Sequence, residues 1–324
     1  MAAPFNYQIF NNVTDRETFL NNIRNVASNN GWTIDKDDIT NNQELYLHSN
    51  GNGKQNLYFS MKVENRATVS HGSISAFYIC GNTGFDTNSA WDNQPGRYSD
   101  LVIGDGSGYT RISNSYLYLP LNKQYILANS QMILIFGDMV CVFDSNRTVG
   151  HYYFGAIDTY NLNDTEGNIV SAYIEEEYNN GYNRSSALFG LIDKYNRGRY
   201  CGLLYNSENK FTPDKLGIST FWIGYYKSTD TNYLRGYLGY QYNHAVQYND
   251  WASRTSLIKP IVSIKDTTST DVYFYPIGEL PYYACKAYPY YKAGDIITQG
   301  TRNFMVFPIL YYTNGDGVAI EVNV

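Results

Sequence analysis

Glu175, Glu176 and Glu177 form the densest group of carboxylates in the chain. Glycoside hydrolysis needs two carboxyl groups facing each other across a cleft. Neighbouring residues of a strand point to opposite faces, so adjacency supplies no such pair, and the triplet reads as a solvated edge or loop. Asp92, Asp100 and Asp105 share one stretch with Gly106 and Gly108. Oxygen-rich glycine loops can hold calcium, but this spacing matches no EF-hand loop. His48, His71, His151 and His244 are far apart, with no His-x-x-x-His pair and no evident Ser or Cys partner, so each reads as a structural or surface histidine. The Gly104–Gly108 run, GDGSG, lacks a following Lys-Ser or Lys-Thr and a helix, which makes it a turn and not a phosphate cradle. Cys80, Cys141, Cys201 and Cys285 are spaced by about sixty to eighty residues without a C-x-x-C pair, a pattern of buried thiols in strands, not of zinc ligands or a disulfide framework. No enzyme signature, metal site or cofactor is therefore expected.

Composition narrows the partners. The net charge is −6, the calculated pI is 5.2 and only 17% of residues are charged. Nothing there neutralises phosphates, so nucleic acid is excluded as an expected partner. The opening MAAPFNYQIF has no basic n-region and no apolar h-region. With no apolar run of about 18 residues anywhere, the expectation is a chain made in a reducing cytoplasm with no membrane span. The 34 tyrosines are roughly three times the usual complement. Tyr combines β propensity, contact area and a polar tip, which suits a subunit interface first and a sugar-binding face second. The candidate contact residues are Phe85, Trp91, Tyr225, Tyr226, Tyr242, Tyr248 and Trp251.

The elements that must position these residues are mostly strands. From Gln124 to Ile157 apolar residues are nearly continuous, and Met132–Phe136 and Met139–Phe143 read as two short strands, broken at Gly137 and Asp138 and buried on both faces. Phe19, Leu20, Ile23, Val26 and Ala27 recur at helical spacing after a Thr14-x-x-Glu17 capping box and before Asn30-Gly31. This is the one helix expected, docking on the sheet that starts at Trp32. Leu45 and Leu47 alternate with polar residues, and SNGNG links that strand to Asn56–Val63 as a hairpin. Ser73–Cys80 leads into a loop of about 28 residues holding Phe85 and Trp91, which should bury against the parent domain or a partner. Residues 160 to 199 read as turns and short edges. Strands are expected again at Tyr200–Leu204, Thr220–Tyr226, Ile258–Ile264, Asp271–Tyr275, Phe304–Tyr312 and Val318–Val322, several pushed to edges or broken by proline. The fold class is mainly β: an antiparallel sandwich-like body with one short N-terminal α-helix and long loops. It divides into a helix-plus-hairpin lobe, 1–120, and a central and C-terminal β lobe, 121–324, or runs on as one domain.

Five stretches carry a family resemblance: Asn30-Gly31-Trp32; LYLHSNGNG; Trp91 to Gly96; the central strands with Ala128-Asn129-Ser130, MILIF and HYYFGAI; and NFMVFPILYYTNGDGVAIEV. Their order resembles a family of tailed-bacteriophage virion proteins associated with the tail or baseplate. The resemblance departs at Ser130, where the family commonly has Gly, and residues 160 to 248 match nothing in it. It implies a non-enzymatic virion subunit of the tail, baseplate or neck, assembling with copies of itself and other virion proteins as a ring or trimer. The alternative is a receptor- or glycan-binding module at the tail tip, binding a host surface glycan through the segment from Tyr225 to Trp251. A third reading is a polysaccharide-degrading tail enzyme using acids such as Glu175 or Asp250.

Overall fold

The computed structural model describes residues 3–51, 56–65, 75–91, 93–95, 114–117, 119–140, 147–160, 168–173, 202–205, 211–212, 216–219, 225–226, 248–249, 254–255, 257, 259, 261–266, 272–287, 290–308 and 316–324. The chain opens with β1 (Asn6–Val13), α1 (Arg16–Ser28), β2 (Thr33–Asp38), α2 (Ile39–Asn42), β3 (Glu44–Ser49), β4 (Leu57–Asn65), β5 (Ser75–Asn82) and β6 (Asn114–Leu117). The central strands are β7 (Leu121–Ala128), β8 (Met132–Val140), β9 (Arg147–Ala156), β10 (Asp158–Thr159) and β11 (Asn168–Tyr173). Short pieces follow: β12 (Gly202–Tyr205), β13 (Phe211–Thr212), β14 (Leu216–Ser219), β15 (Tyr225–Tyr226), β16 (Tyr248–Asn249) and β17 (Arg254–Thr255). The chain closes with β18 (Ile261–Asp266), β19 (Val272–Glu279), β20 (Tyr283–Lys286), β21 (Asp295–Gln299), β22 (Arg302–Pro308) and β23 (Asp316–Val322). The protein is mostly β, and its sheets are antiparallel.

Three sheets make a stack, with the longest in the middle. That middle sheet runs β1-β7-β8-β9-β11-β12-β13; on one side lies β2-β3-β4-β5-β6 and on the other β20-β23-β22-β21. Period-two alternation explains the arrangement. In β7 and β8, Ile126, Ala128, Ile133 and Ile135 face the first neighbour, while Leu127, Met132, Leu134 and Phe136 face the second. From Tyr125 to Phe136 the strands of the central apolar stretch are thus buried on both faces, as their composition predicts. Aromatic rings lock the layers together. Phe59 meets Phe154 at 5.0 Å and Phe77 meets Tyr152 at 4.9 Å across one gap, and Phe136 stacks on Phe307 at 3.8 Å across the other. A further sheet, β10-β19-β18-β14 with β15 on β19, branches from the chain just after β9.

Two local readings are corrected. The strand of Met132–Phe136 does not break at Gly137 and Asp138, because β8 runs through them to Val140 and they pair with Gly150 and Val149 of β9; residues 141–143 lie outside the described residues. A glycine and an aspartate do not end a strand whose partners continue on both sides. Nor is Thr14 the helix cap. Asp15 takes that position, its Oδ1 accepting the Thr18 N–H at 2.7 Å, and Glu17 instead accepts from the Thr40 hydroxyl. A carboxylate at the positive end of the helix is the stronger acceptor, and the bond from the Thr18 N–H holds its pKa down. The structure also adds α2, a single turn, to the one helix expected. Its Asp38 carboxylate accepts from Asn41 and Asn42.

Other expectations hold closely. The 44–65 hairpin forms, with β3 and β4 paired from Glu44↔Lys62 to Ser49↔Leu57. Cys80 and Cys285 are buried in β5 and β20, neither in a disulfide; Cys141 and Cys201 lie outside the described residues. Pro276 sits inside β19 opposite Ser263, where the register of β18 shifts, so the break takes the form of a bulge. The pairing of β1 with β7 and the Phe77–Tyr152 contact both cross the 120/121 lobe boundary.

Candidate functional site

Three of the stretches that carry the resemblance meet at one corner of the stack. Gly31 turns the chain out of α1 at φ +87, and a Cβ there would stand 3.2 Å from the Cβ of Ser130. Next to it the Trp32 indole N–H donates to the Asn129 carbonyl at 2.8 Å. Asn129 is the hub. Its Oδ1 accepts the N–H groups of Gln131 and Met132, both at 2.9 Å, and its Nδ2 donates to the Ala3 carbonyl at 2.8 Å. Ser49, from the LYLHSNGNG strand, donates its hydroxyl to the Ser130 carbonyl. Gly155 of HYYFGAI closes the corner from below, where a Cβ would lie 2.2 Å from the Gln131 oxygen. An Asn at the tip of a tight turn satisfies backbone donors that no ladder reaches. The corner is therefore a structural joint between α1, β3, the β7–β8 connection and the end of β9.

The loop after β5 is a plug on the outer face of the first sheet. Gln94 is buried, its amide nitrogen lying 3.0 Å from the carbonyl oxygens of Asp86, Ser89 and Ala90 while its Oε1 accepts the Asp86 N–H at 2.9 Å. Asp86 caps the turn by accepting from the Asn88 N–H and the Ser89 hydroxyl, and these bonds hold its carboxyl below the usual range. Around this frame Trp91 packs on Tyr78 at 5.2 Å and is only 8% exposed. Phe85 is half-buried between Tyr46 and Tyr58, at 5.3 and 5.2 Å. Both rings pack on the parent domain. Beside them His48 binds Asp35 through Nδ1 at 2.7 Å and packs on Tyr58.

A polar cleft lies where the N-terminal segment crosses the third sheet. Ala3, Pro4, Phe5, Asp158, Lys259, Pro281, Tyr283, Arg302 and Glu321 line it, and its volume of about 20 Å³ holds one water. Lys259 lies 3.2 Å from Asp158 and 3.3 Å from Glu279. Burial works against its charge, but the two carboxylates outweigh it and raise its pKa. Tyr160 donates to Glu279 at 3.2 Å; burial first and that carboxylate second push its pKa up to about 12. Arg302 grips Glu321 with Nε and Nη2 and donates to the Tyr283 hydroxyl at 2.6 Å, which holds the Glu321 carboxyl below its usual range. Each cation here is matched to a carboxylate, so the cleft ties β10, β19, β20, β22 and β23 together.

Sequence reasoning did not anticipate Lys259, Arg302 and Glu321, since partners so far apart in the chain leave no spacing signal. Of the remaining candidates, Tyr225 and Tyr226 form β15, paired with Tyr273 and Val272, and Tyr248 pairs with Thr255 in the β16–β17 ribbon. Tyr242 and Trp251 lie outside the described residues, as do Asp92, Asp100, Asp105, Glu175 to Glu177 and Asp250. Among the described residues no three His, Cys, Asp or Glu side chains are grouped to hold a metal ion, and no helix is long and apolar enough to cross a membrane. The chain matches no known family model and no curated protein.

Proposed function

We propose that the chain is a non-enzymatic structural subunit of a bacteriophage virion, built into the tail, baseplate or neck and held by protein–protein contacts with copies of itself and other virion proteins. One observation supports this most: Asn30-Gly31-Trp32, Ser49, Ala128-Asn129-Ser130 and Gly155, all from stretches that carry the resemblance, are bonded or packed together at a single joint. A joint of that kind sets the relative position of layers, as a scaffold requires, and leaves the loops to make contacts. Light scattering on the purified chain, alone and with a panel of bacterial surface glycans, tests the reading. A closed oligomer, or a chain indifferent to every glycan, fits the scaffold. Saturable binding of one glycan replaces it with the receptor-binding reading, in which the segment from Tyr225 to Trp251 forms the face.

A further inference from the structure

Sheet edges expose unpaired N–H and C=O groups, and proteins ordinarily protect them with charge, proline or shortness. Most edges among the described residues follow that rule. β2 carries Asp35, Lys36, Asp37 and Asp38, β6, β14 and β20 have four residues each, and β10 and β13 have two. β1 does not. It is eight residues long, regular from Asn6 to Asn11 before Asn12 turns left-handed at φ +53, forms the edge of the middle sheet among the described residues, and reads NYQIFNNV, with neither charge nor proline. Asn6, Gln8, Ile9, Asn11 and Asn12 along it are exposed.

The same rim carries exposed apolar side chains. Ile9 is 41% exposed and lies directly across from Tyr125. The far side of Tyr125 is covered by the segment leading into β21: its hydroxyl donates to the Ala293 carbonyl at 3.0 Å, and a Cβ on Gly294 would stand 2.6 Å from its ring. Tyr290 and Ile296, at 45% and 40% exposure, flank that segment. Ile9 lies on the face of β1 that Tyr7 packs against the second core, and Ile296 pairs with Met305 of that core. Both therefore sit at the open mouth of the gap between the middle and third sheets.

We infer that the β1 edge is where a second copy of this chain pairs, antiparallel about a two-fold axis at Ile9, making one sheet continuous across two subunits. The inference rests on the self-association in the functional reading above, and it names the surface. Three features select a second copy over another partner. Two chains of charge −6 repel in general, and β1 is a long edge where they meet without a like-charge pair. An axis through Ile9 sets Ile9 against its twin and Tyr7 against Asn11, residues of the same face, so the register satisfies itself. Antiparallel pairing is also the rule throughout the sheets of this chain, and two-fold closure leaves no further β1 edge open to grow a fibre.

The test is the mass of the full chain by light scattering across a concentration series, for wild type, Ile9→Lys and Gln8→Lys, with amide exchange at residues 6–13. Each substitution is at an exposed position, so folding is retained and is checked by near-UV dichroism. The expected result is a dimer or an even multiple whose dissociation constant rises at least about tenfold in both variants. Protection of the β1 amides should fall on dilution. An oligomer that both variants leave unchanged overturns the edge pairing while the scaffold reading stands. A monomer at every concentration overturns the edge pairing too, and the glycan panel then decides the scaffold reading separately.

Discussion

Gly155→Ala is the substitution that tests the joint most directly. Gly155 has φ +144, and an added Cβ would meet the Gln131 oxygen at 2.2 Å and the Met132 Cα at 2.6 Å. Both obstacles are backbone, so no side chain can swing aside. Holding an alanine at that φ costs about 1–3 kcal/mol. Relieving the overlap requires β9 to move off the Gln131 turn, which breaks the Ala156 N–H to Gln131 O bond, 2.8 Å long, and forfeits roughly 1 kcal/mol more. The movement also disturbs Asn129, whose Oδ1 holds the N–H groups of Gln131 and Met132. A total of about 2–4 kcal/mol is expected, a large share of the 5–15 kcal/mol by which domains are commonly stable. Gly84→Ala is the control, since nothing lies within 4 Å of its Cβ position. In urea unfolding followed by Trp fluorescence, the midpoint of Gly155→Ala should move down by about 0.7–1.3 M at an m-value of roughly 3 kcal/mol/M, and that of the control hardly at all. A Gly155→Ala midpoint within about 0.3 M of wild type would refute the close backbone approach on which the corner depends.

Further outcomes are expected elsewhere. Trp32→Phe keeps the ring among Phe59 and Phe154 but leaves the Asn129 carbonyl without its indole donor, and should cost about 1–3 kcal/mol in the same assay. Asp15→Ala should cost about 1 kcal/mol, with Asp15→Asn recovering most of it. Gln94→Glu sets a carboxylate against three carbonyl oxygens in a buried site; about 3 kcal/mol is lost, and amide exchange should quicken at Thr83 to Ser89. The polar cleft makes stability depend on pH at both extremes. Glu321 has a lowered pKa, so its contribution is present above about pH 4.5 and is lost as pH falls through the lowered value. Tyr160 has a raised value, so its contribution is present below pH 10 and is lost as pH climbs toward 12; that of Lys259, also raised, is present below about pH 10.5 and is lost as pH rises through its raised value. Removing Tyr160 and Lys259 together should flatten the alkaline limb of a stability titration and leave the acid limb in place.

Local patterns were legible in the sequence and distant partnerships were not. The stripe Phe19, Leu20, Ile23, Val26 and Ala27 is buried in α1 as its spacing implies, and the part of the central apolar run from Tyr125 to Phe136 is buried on both faces. Each signal is a periodicity, contained within one element. The cap was misplaced by one residue because Thr14 and Asp15 are both good caps, and only the geometry of the entering strand decides between them. Gly137 and Asp138 suggested a break, since propensity cannot see that Gly150 and Val149 await them on β9. The Lys259, Glu279 and Asp158 cluster draws on three segments, and β21 is a half-exposed strand whose DIITQ pattern is too short to stand out.

Tyrosine content bears on how the chain makes contacts. A surface rich in Tyr was the ground for expecting aromatic interfaces, yet Tyr46, Tyr78, Tyr125, Tyr152 and Tyr282 are buried within the layers. There they act as large core residues whose polar tips reach the edge of the packing, as the Tyr125 hydroxyl does at Ala293. Among the tyrosines whose side chains are described, Tyr160, which is bonded to Glu279, and Tyr290, which precedes the segment covering Tyr125, are exposed. The edge pairing inferred above uses backbone groups along β1, with Ile9 on it and Tyr290 and Ile296 flanking the segment that covers Tyr125. An interface of backbone hydrogen bonds and a few apolar anchors depends on register more than on area. Its sensitivity should accordingly be lopsided: a lysine at Ile9 should dissociate the pair, while Tyr290→Ser should weaken it by less than about tenfold. Equal effects at the two positions would mean that the aromatic patch, and not the strand edge, carries the contact.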